Sequence, residues 1–434
     1  NRQAPMKSII QPVQGTHDFY PEDMAVRTWL YGTMRSVAES FGYQEWEAPM
    51  IETLDLYAAK SGEELVEKQS YVMTDREGHR ITLRPELTPS LARMIAQRQE
   101  QLAFPVRWWS FGPFWRHERT QKGRRREFFQ WNVDMLGAQS PEADAENVAV
   151  LATFFRRVGL DPSRVVIYVN DRRLMNAKFE QFGIVRELWP AASGWIDRKA
   201  KMAPDAWLAY GAELGLSRDQ LARIQGVLDD KNVWQQSQEL GRFFKAADAL
   251  GIGDYVQFEP SIIRGLLYYT GTVFEAWETG GEIKRSILGG GRYDNLLSDV
   301  GGTSLGAVGW AMGDVVVTLL LEKYGLLPKD ISAQAASVLV TVFDQERLLV
   351  SYRTATALRQ AGIPTMLYPE PAKLPRQFKY ADKMAARLAL VIGPDEAANG
   401  QVTIKDLSDG TQRSVPEAQL VEAVRQVLES VPAR

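Results

Sequence analysis

Phe111-Gly-Pro-Phe-Trp-Arg-His-Glu-Arg-Thr-Gln-Lys-Gly-Arg-Arg-Arg-Glu-Phe-Phe-Gln130 runs from an aromatic, strand-like pattern through an Arg-rich turn into a second apolar strand pattern. Paired as a hairpin, its arms would direct Arg116, Glu118, Phe128 and Gln130 at one site, while the turn concentrates positive charge. Guanidinium groups match phosphate oxygens, an aromatic face stacks on a base, and a basic mouth attracts a polyanion. Taken alone, such a run is equally well a solvated loop, so its meaning depends on the chain around it.

Working outward, strand signals cover Val106–Arg116 and Phe128–Leu136. Upstream, residues 17–41 predict a helix: Asp18 and Pro21 offer start signals, and Met24, Trp29, Leu30, Met34 and Val37 recur at helical spacing. Tyr43–Ile51 and Arg80–Leu83 read as strands, and Arg84-Pro-Glu-Leu-Thr88 leads into a helix ending near Arg98. Downstream comes a helix over Ala143–Val158, then a mostly helical stretch, 175–255, broken near Pro190, Pro204 and Gly251. Strand chemistry resumes in Tyr268–Trp277, Arg285–Asp294 and Ala307–Met312. Antiparallel strands grouped on both sides of a helical block predict an α+β fold with a helical insertion. Gly289-Gly-Gly-Arg-Tyr-Asp294 lacks dinucleotide or Walker spacing. It is read as a tight turn where bare backbone passes close to a ligand or another strand.

After a linker-like stretch the pattern alternates: strands at Ser337–Val342, Thr365–Tyr368, Leu388–Ile392 and Gln401–Asp406, helices at Glu346–Ala361, Phe378–Arg387 and Pro416–Val427. The expected division is a first domain over 1–325, with the 175–255 insertion inside it, a linker at 326–335, and a compact α/β domain over 336–434.

Composition narrows the chemistry. The 434 residues exceed one ordinary core, and 45% apolar with 24% charged residues is the balance of a soluble globular protein. No apolar run approaches the roughly 20 residues of a membrane span, and the first residues lead into no signal-like stretch. Zero Cys excludes disulfides and thiolate metal sites, and three His argue against a His-based metal site. A reducing cytoplasm is compatible with this and is the expected location. A net charge of −3 places any nucleic-acid contact in local patches such as Arg116–Arg126.

Several stretches together resemble the class II aminoacyl-tRNA synthetases, and within them the histidyl-tRNA synthetases. Glu47-Ala-Pro-Met-Ile-Glu52 resembles the dimerisation motif of the class, and Phe114–Arg125 its second motif. Arg264-Gly-Leu-Leu-Tyr-Tyr-Thr-Gly-Thr-Val-Phe-Glu275 and Ile287-Leu-Gly-Gly-Gly-Arg-Tyr-Asp294 are similar to stretches particular to the histidine enzymes. Lys373–Lys383 and Ile392–Glu396 resemble the family's anticodon-binding domain. The likeness spans nearly the whole chain and is weakest in the helical insertion.

The resemblance implies a histidine–tRNA ligase: ATP activates histidine to an adenylate, and the 3′ end of tRNA(His) receives it. Two anions must then meet in line, and fixed cations neutralise the developing charge. It implies Arg116 and Arg264 as the catalytic cations on the α-phosphate and carboxylate, and Glu118 and Phe128 as partners of ATP beside Arg116. Histidine would be held by Glu86, Thr88, Arg116, Gln130 and Arg264, with Asp134 on one ring nitrogen and Tyr268 or Tyr269 on the other. Gln121 and Arg126 would meet the tRNA acceptor end. Magnesium is expected on the ATP phosphates with no dedicated protein metal site, and a homodimer is implied by the first motif.

Two positions depart from the family pattern. Val316 stands where the third motif's arginine normally lies against adenine, a contact worth about 1–2 kcal/mol, and Leu267 replaces a common Asp. Asp134 is also one methylene shorter than the usual Glu. These departures leave a rival open, a non-catalytic histidine-binding paralogue like the regulatory subunit of ATP phosphoribosyltransferase. Such a protein needs neither Arg264, nor the Arg-rich loop, nor a C-terminal anticodon domain.

Overall fold

Alternation of side chains along the Arg-rich hairpin and its neighbours gives the main sheet two unlike faces. In the computed structural model, which describes residues 9–58, 69–119, 125–263, 268–283, 285–299, 301–328, 331 and 336–430, the chain divides into two compact units. One comprises Asn1–Asp18 and Arg27–Leu327, the other Phe19–Val26 and Pro328–Arg434.

The first unit contains β1 (Gln44–Glu45), β2 (Ile51–Thr53), β3 (Tyr71–Thr74), β4 (Arg80–Leu83), β5 (Val106–Trp115), β6 (Glu127–Leu136), β7 (Val165–Asp171), β8 (Val256–Phe258), β9 (Thr272–Glu278), β10 (Leu288–Arg292) and β11 (Ala307–Gly313). Eight form one sheet in the order β1-β5-β6-β11-β10-β9-β7-β8, antiparallel from β5 to β7 with a parallel pair at each edge. β2, β4 and β3 make a small antiparallel sheet of their own.

Residues directly opposite one another in an antiparallel pair share a face. On one face Trp131 of β6 meets Trp310 of β11 edge to face at 4.8 Å, and Phe154 of the helix Pro141–Arg157 closes on Trp131 at 5.3 Å. This is the main core, and Trp131, Val133, Phe154, Phe274 and Met312 are fully buried in it. Ser140 caps that helix by accepting from Ala143 N, and Pro141 suits its first turn.

The opposite face carries Phe128, Gln130, Asn132 and Asp134 of β6, and it is floored by glycine. Gln130 pairs with Gly112 and Gly313, Asp134 pairs with Gly309, and Gly309 in turn faces Gly291. The glycine-rich run is therefore a central strand rather than the expected tight turn. Gly290 points to the core, where a Cβ would lie 2.4 Å from that of Trp310, and Gly291 leaves room for the ring of Tyr269.

Other boundaries shift for local reasons. The first helix is Pro21–Ser40, and its Asp23 accepts from Tyr20 N. The strand expected over Tyr43–Ile51 is split into β1 and β2, because Pro49 offers no N–H to a ladder. The helical block begins at Arg172 and is inserted between β7 and β8, two paired strands of the main sheet. Its core includes Trp195 and Trp207, stacked at 4.1 Å, each indole N–H donating to the other's carbonyl.

In the second unit β12 (Val338–Val340), β13 (Thr365–Leu367), β14 (Leu388–Val391), β15 (Gln401–Asp406) and β16 (Gln412–Pro416) form a mixed sheet in the order β13-β12-β14-β15-β16. The first three strands are parallel, as the alternation of strand and helix predicts, and β15 and β16 are antiparallel additions. Fully buried Gln377 holds the helix Leu374–Lys383 to β12's end, exchanging two hydrogen bonds with the backbone of Val342.

Arg84 ties the small sheet to the hairpin. It is fully buried, with Nη1 2.5 Å from Glu47 Oε1 and 3.0 Å from Ala48 O, and Nε 2.9 Å from Pro113 O. Gly112 makes room for this ion pair, since a Cβ there would lie 2.3 Å from Arg84 Nη2. Glu47 is itself exposed, so its removal leaves the buried Arg84 guanidinium on carbonyl oxygens alone. Glu47→Ala is expected to destabilise the first unit by about 1–2 kcal/mol, and a fall in its thermal denaturation midpoint checks this.

Candidate active site

Arg116 follows β5, and its N–H bonds Arg126 O at 2.8 Å, so the hairpin pairing continues one step towards the turn. Its Nε donates to Pro85 O at 2.9 Å, and its guanidinium lies 5.2 Å from the ring centroid of Phe128. Burial lowers the pKa of Arg116, an effect opposed by the nearby Glu86 carboxylate and by Tyr268. Four of the expected residues, Glu86, Arg116, Phe128 and Tyr268, thus converge. Phe128 is supported from behind by Phe114, stacked at 6.0 Å.

Asp134 occupies the deeper part of the same face. It is buried, and Tyr293 donates its hydroxyl to Oδ1 at 2.6 Å. Burial pushes its carboxyl up to about 7, and the Tyr293 hydrogen bond works in the opposite direction. Gly309 is obligatory beneath it: a Cβ there would lie 1.8 Å from Asp134 Oδ1. Tyr268 lies edge-on to Tyr293 at 6.1 Å, whereas Tyr269 is buried over Gly291 and its carbonyl accepts from Arg172 Nη1 at 2.9 Å. The tyrosine pair therefore divides: Tyr268 borders the pocket, and Tyr269 is packed.

Tyr293 is the main residue that the sequence reading omits from the site. Its signal was its place two residues after Gly291, on the same side of an extended strand.

Thr88 is the first residue of the helix Thr88–Arg98 and is half-buried. Gln130 lies on the pocket face between Gly112 and Gly313. Glu118 is half-buried beyond the strand end, and its carbonyl accepts from Arg126 Nε at 3.3 Å. Arg126 also reaches Gln14 O at 3.4 Å and covers Gly15, whose positive φ of 90° suits glycine alone. Arg264, Gln121 and Leu267 lie outside the described residues.

Val316 belongs to the core and is 9% exposed. Its helix, Asp314–Lys323, opens instead on a buried acid: Asp314 pairs with Arg27 at 2.8 Å and accepts from Phe129 N at 3.3 Å. Arg27 also stacks 4.2 Å from the Phe129 ring centroid. The helix start thereby holds the backbone beside Phe128.

An antiparallel sheet with one core face and one glycine-floored polar face, entered by an Arg–Phe hairpin and accompanied by a separate mixed α/β unit, is the arrangement of a class II aminoacyl-tRNA synthetase. A family model described as histidyl-tRNA synthetase matches residues 15–314, and one described as anticodon binding domain matches 337–427. The chain is 36% identical over 419 residues to a chloroplastic/mitochondrial histidine–tRNA ligase of Arabidopsis thaliana, covering 94% of this chain and 85% of that one. It is 35% identical over 434 residues to the histidine–tRNA ligase of Opitutus terrae, covering 96% and 98%. The crystal structure of histidyl-tRNA synthetase from Nostoc sp. PCC 7120 superposes with a TM-score of 0.78 at 26% identity, over 97% of this chain and all of that one. The chain belongs to the histidyl-tRNA synthetase family.

The Asp134 carboxyl gives a signed prediction. Its folded pKa is raised above the ordinary value, so the folded state binds more protons than the unfolded one between about pH 4 and pH 7. Its contribution to stability is fully present below that window and is lost as pH rises through it. Asp134→Asn keeps an acceptor for Tyr293 and removes the charge. It is expected to raise the melting temperature of the unliganded protein at pH 8 and leave it unchanged near pH 4, as read by thermal melts across pH.

Proposed function

We propose that this chain is a histidine–tRNA ligase. The histidine carboxylate oxygen attacks the α-phosphorus of ATP, pyrophosphate leaves, and the histidyl-adenylate remains bound. The 3′-terminal ribose hydroxyl of tRNA(His) then attacks the adenylate carbonyl, loses its proton, and AMP departs. The observation that carries this reading is the convergence of Arg116, Glu86, Phe128 and Tyr268 beside the Asp134–Tyr293 pair on one bare sheet face. Relatives of this name, matched over 85% and 98% of their own length, support it.

The roles follow from charge and shape. Arg116 and Arg264 neutralise the two anions as they meet, and Arg116 is kept in place by Pro85 O. Phe128 offers the flat face for adenine, and Glu118 is assigned to the base edge. Glu86, with Thr88 and Gln130, takes the ammonium of histidine. Asp134 accepts from one imidazole nitrogen, and Tyr268 completes the other side of the ring. ATP use follows from the class. Magnesium enters with the ATP phosphates: among the described residues the one three-member grouping able to hold a metal, Asp75, Glu77 and His79, lies on the partly exposed β3–β4 turn. There Asp75 already accepts from Glu77 N and His79 N.

Exposed apolar side chains support a homodimer. Met50, Ile51, Val72 and Met73 are 38–50% exposed on or beside β2 and β3, within and next to the first class motif. Gln121 and Arg126 are assigned to the acceptor end. In the second unit, Lys373, Arg376, Lys379 and Lys383 are exposed at helical spacing with exposed Tyr380 among them, a surface suited to phosphates and an unstacked base. No described helix is long and apolar enough to cross a membrane. The cysteine-free sequence fits a reducing cytoplasm, the location we assign.

The rival reading, a histidine-binding protein without activation, rests on the departures at Val316, Leu267 and Asp134. The matched anticodon domain, residues 337–427, counts against it. Histidine-dependent exchange of pyrophosphate into ATP decides. The unsubstituted chain is expected to exchange, and Arg116→Ala or Arg264→Ala to lower the rate at least about 100-fold. Histidine binding without exchange by the unsubstituted chain would establish the rival instead. The double variant Lys379→Glu/Lys383→Glu is expected to lower tRNA charging at least about tenfold while leaving pyrophosphate exchange within about twofold.

A further inference from the structure

Behind the pocket lies a buried charge network that none of the assigned roles uses. Arg292 is 2% exposed and Asp144 is fully buried. Arg292 Nη2 and Nε reach Asp144 Oδ1 and Oδ2 at 2.5 and 3.2 Å, Nη1 reaches Ala138 O at 2.8 Å and Asp294 Oδ1 at 3.2 Å, and Nη2 reaches Ser140 O at 3.4 Å. Every donor nitrogen of the guanidinium is thus engaged, the condition under which a buried ion pair fixes geometry.

Two chain segments end on this network. Arg292 ends β10, and its guanidinium meets Asp294 on one side while Tyr293 between them turns to Asp134. Anchoring the first and third residues fixes the hydroxyl of the second. The other segment is Tyr268–Thr272. Thr270 N donates to Arg292 O at 2.8 Å, Thr270 Oγ1 donates to Asp294 Oδ2 at 2.6 Å, and Asp294 N returns a bond to Thr270 Oγ1 at 3.2 Å. Thr272 Oγ1 donates to Asp144 Oδ2 at 2.6 Å, and Arg172 Nη1 holds Tyr269 O. Gly271 permits the approach, because a Cβ there would lie 3.1 Å from Arg292 Cδ.

We infer that Thr270, Asp294, Arg292 and Asp144 form a positioning clamp that sets Tyr268 against Tyr293 and Asp134, and so fixes the width of the histidine pocket. The inference rests on the assignment of that pocket to histidine. The clamp touches neither substrate. It acts on histidine recognition and leaves the ATP end, formed by Arg116 and Phe128, unaltered.

The test compares Thr270→Val, which keeps shape and removes the hydroxyl, with Thr270→Ser, which keeps the hydroxyl, and with Asp294→Asn. Histidine dissociation constants are measured by calorimetry on the full chain, alongside KM for histidine and for ATP in pyrophosphate exchange. Thr270→Val and Asp294→Asn are expected to weaken histidine about tenfold, with KM for ATP changed less than about twofold, and Thr270→Ser to stay within about threefold of the unsubstituted chain. Unchanged histidine binding by a folded Thr270→Val protein overturns the clamp alone. Equal weakening of both substrates overturns it too, by showing a general structural role. An unsubstituted chain that binds no histidine overturns the pocket assignment instead.

Discussion

The main sheet must satisfy two opposed demands: one face is packed with large apolar side chains, and the other carries polar and aromatic groups on a glycine floor. Trp131, Val133, Trp310 and Met312 fill the first against the helix Pro141–Arg157. On the other face, glycine at 112, 291 and 309 removes side chains from the floor and leaves room for the Arg84–Glu47 pair, the Tyr269 ring and the Asp134 carboxylate. β11 shows this most directly, with Gly309, Ala311 and Gly313 alternating with Trp310 and Met312. Bare backbone in a strand weakens packing, and here the tryptophan core behind it compensates. Catalytic geometry in this chain is a property of the sheet's register before it is a property of any loop.

The hairpin and its two flanking strands were legible because aromatic and basic residues mark a strand–turn–strand unit directly. The α/β alternation of the second unit was equally plain. What escaped the sequence were features set by partners distant along the chain. Glycines 289–291 look like a turn in isolation, and only the neighbours Phe274 and Trp310 explain why a strand needs them. Val165-Val-Ile-Tyr-Val169 is a β-branched run whose place was hidden by the helices inserted between it and its partner β8. Tyr293 and the Arg292 network were unreadable for the same reason: Tyr293 meets Asp134 159 residues away, and Arg292 meets Asp144 148 residues away.

The third-motif region shows how a local departure is absorbed. An arginine at position 316 would have to leave the helix surface for the pocket, whereas Val316 turns into the core and adds to its packing. Charge reappears two residues earlier as Asp314, matched by Arg27 from the first helix. The Asp314–Arg27 pair thus holds the backbone next to Phe128, the ring proposed to face adenine.

Asp134 and a free imidazole both exchange protons near neutrality, the carboxyl because burial has raised it and the imidazole by its nature. On the proposed assignment of this face to histidine, one proton suffices for a neutral hydrogen-bonded pair or a charged one, and the solvent must supply or accept the difference. Histidine binding would then be a proton-coupled event, its apparent heat dependent on the buffer and its affinity on the acidity of the surroundings.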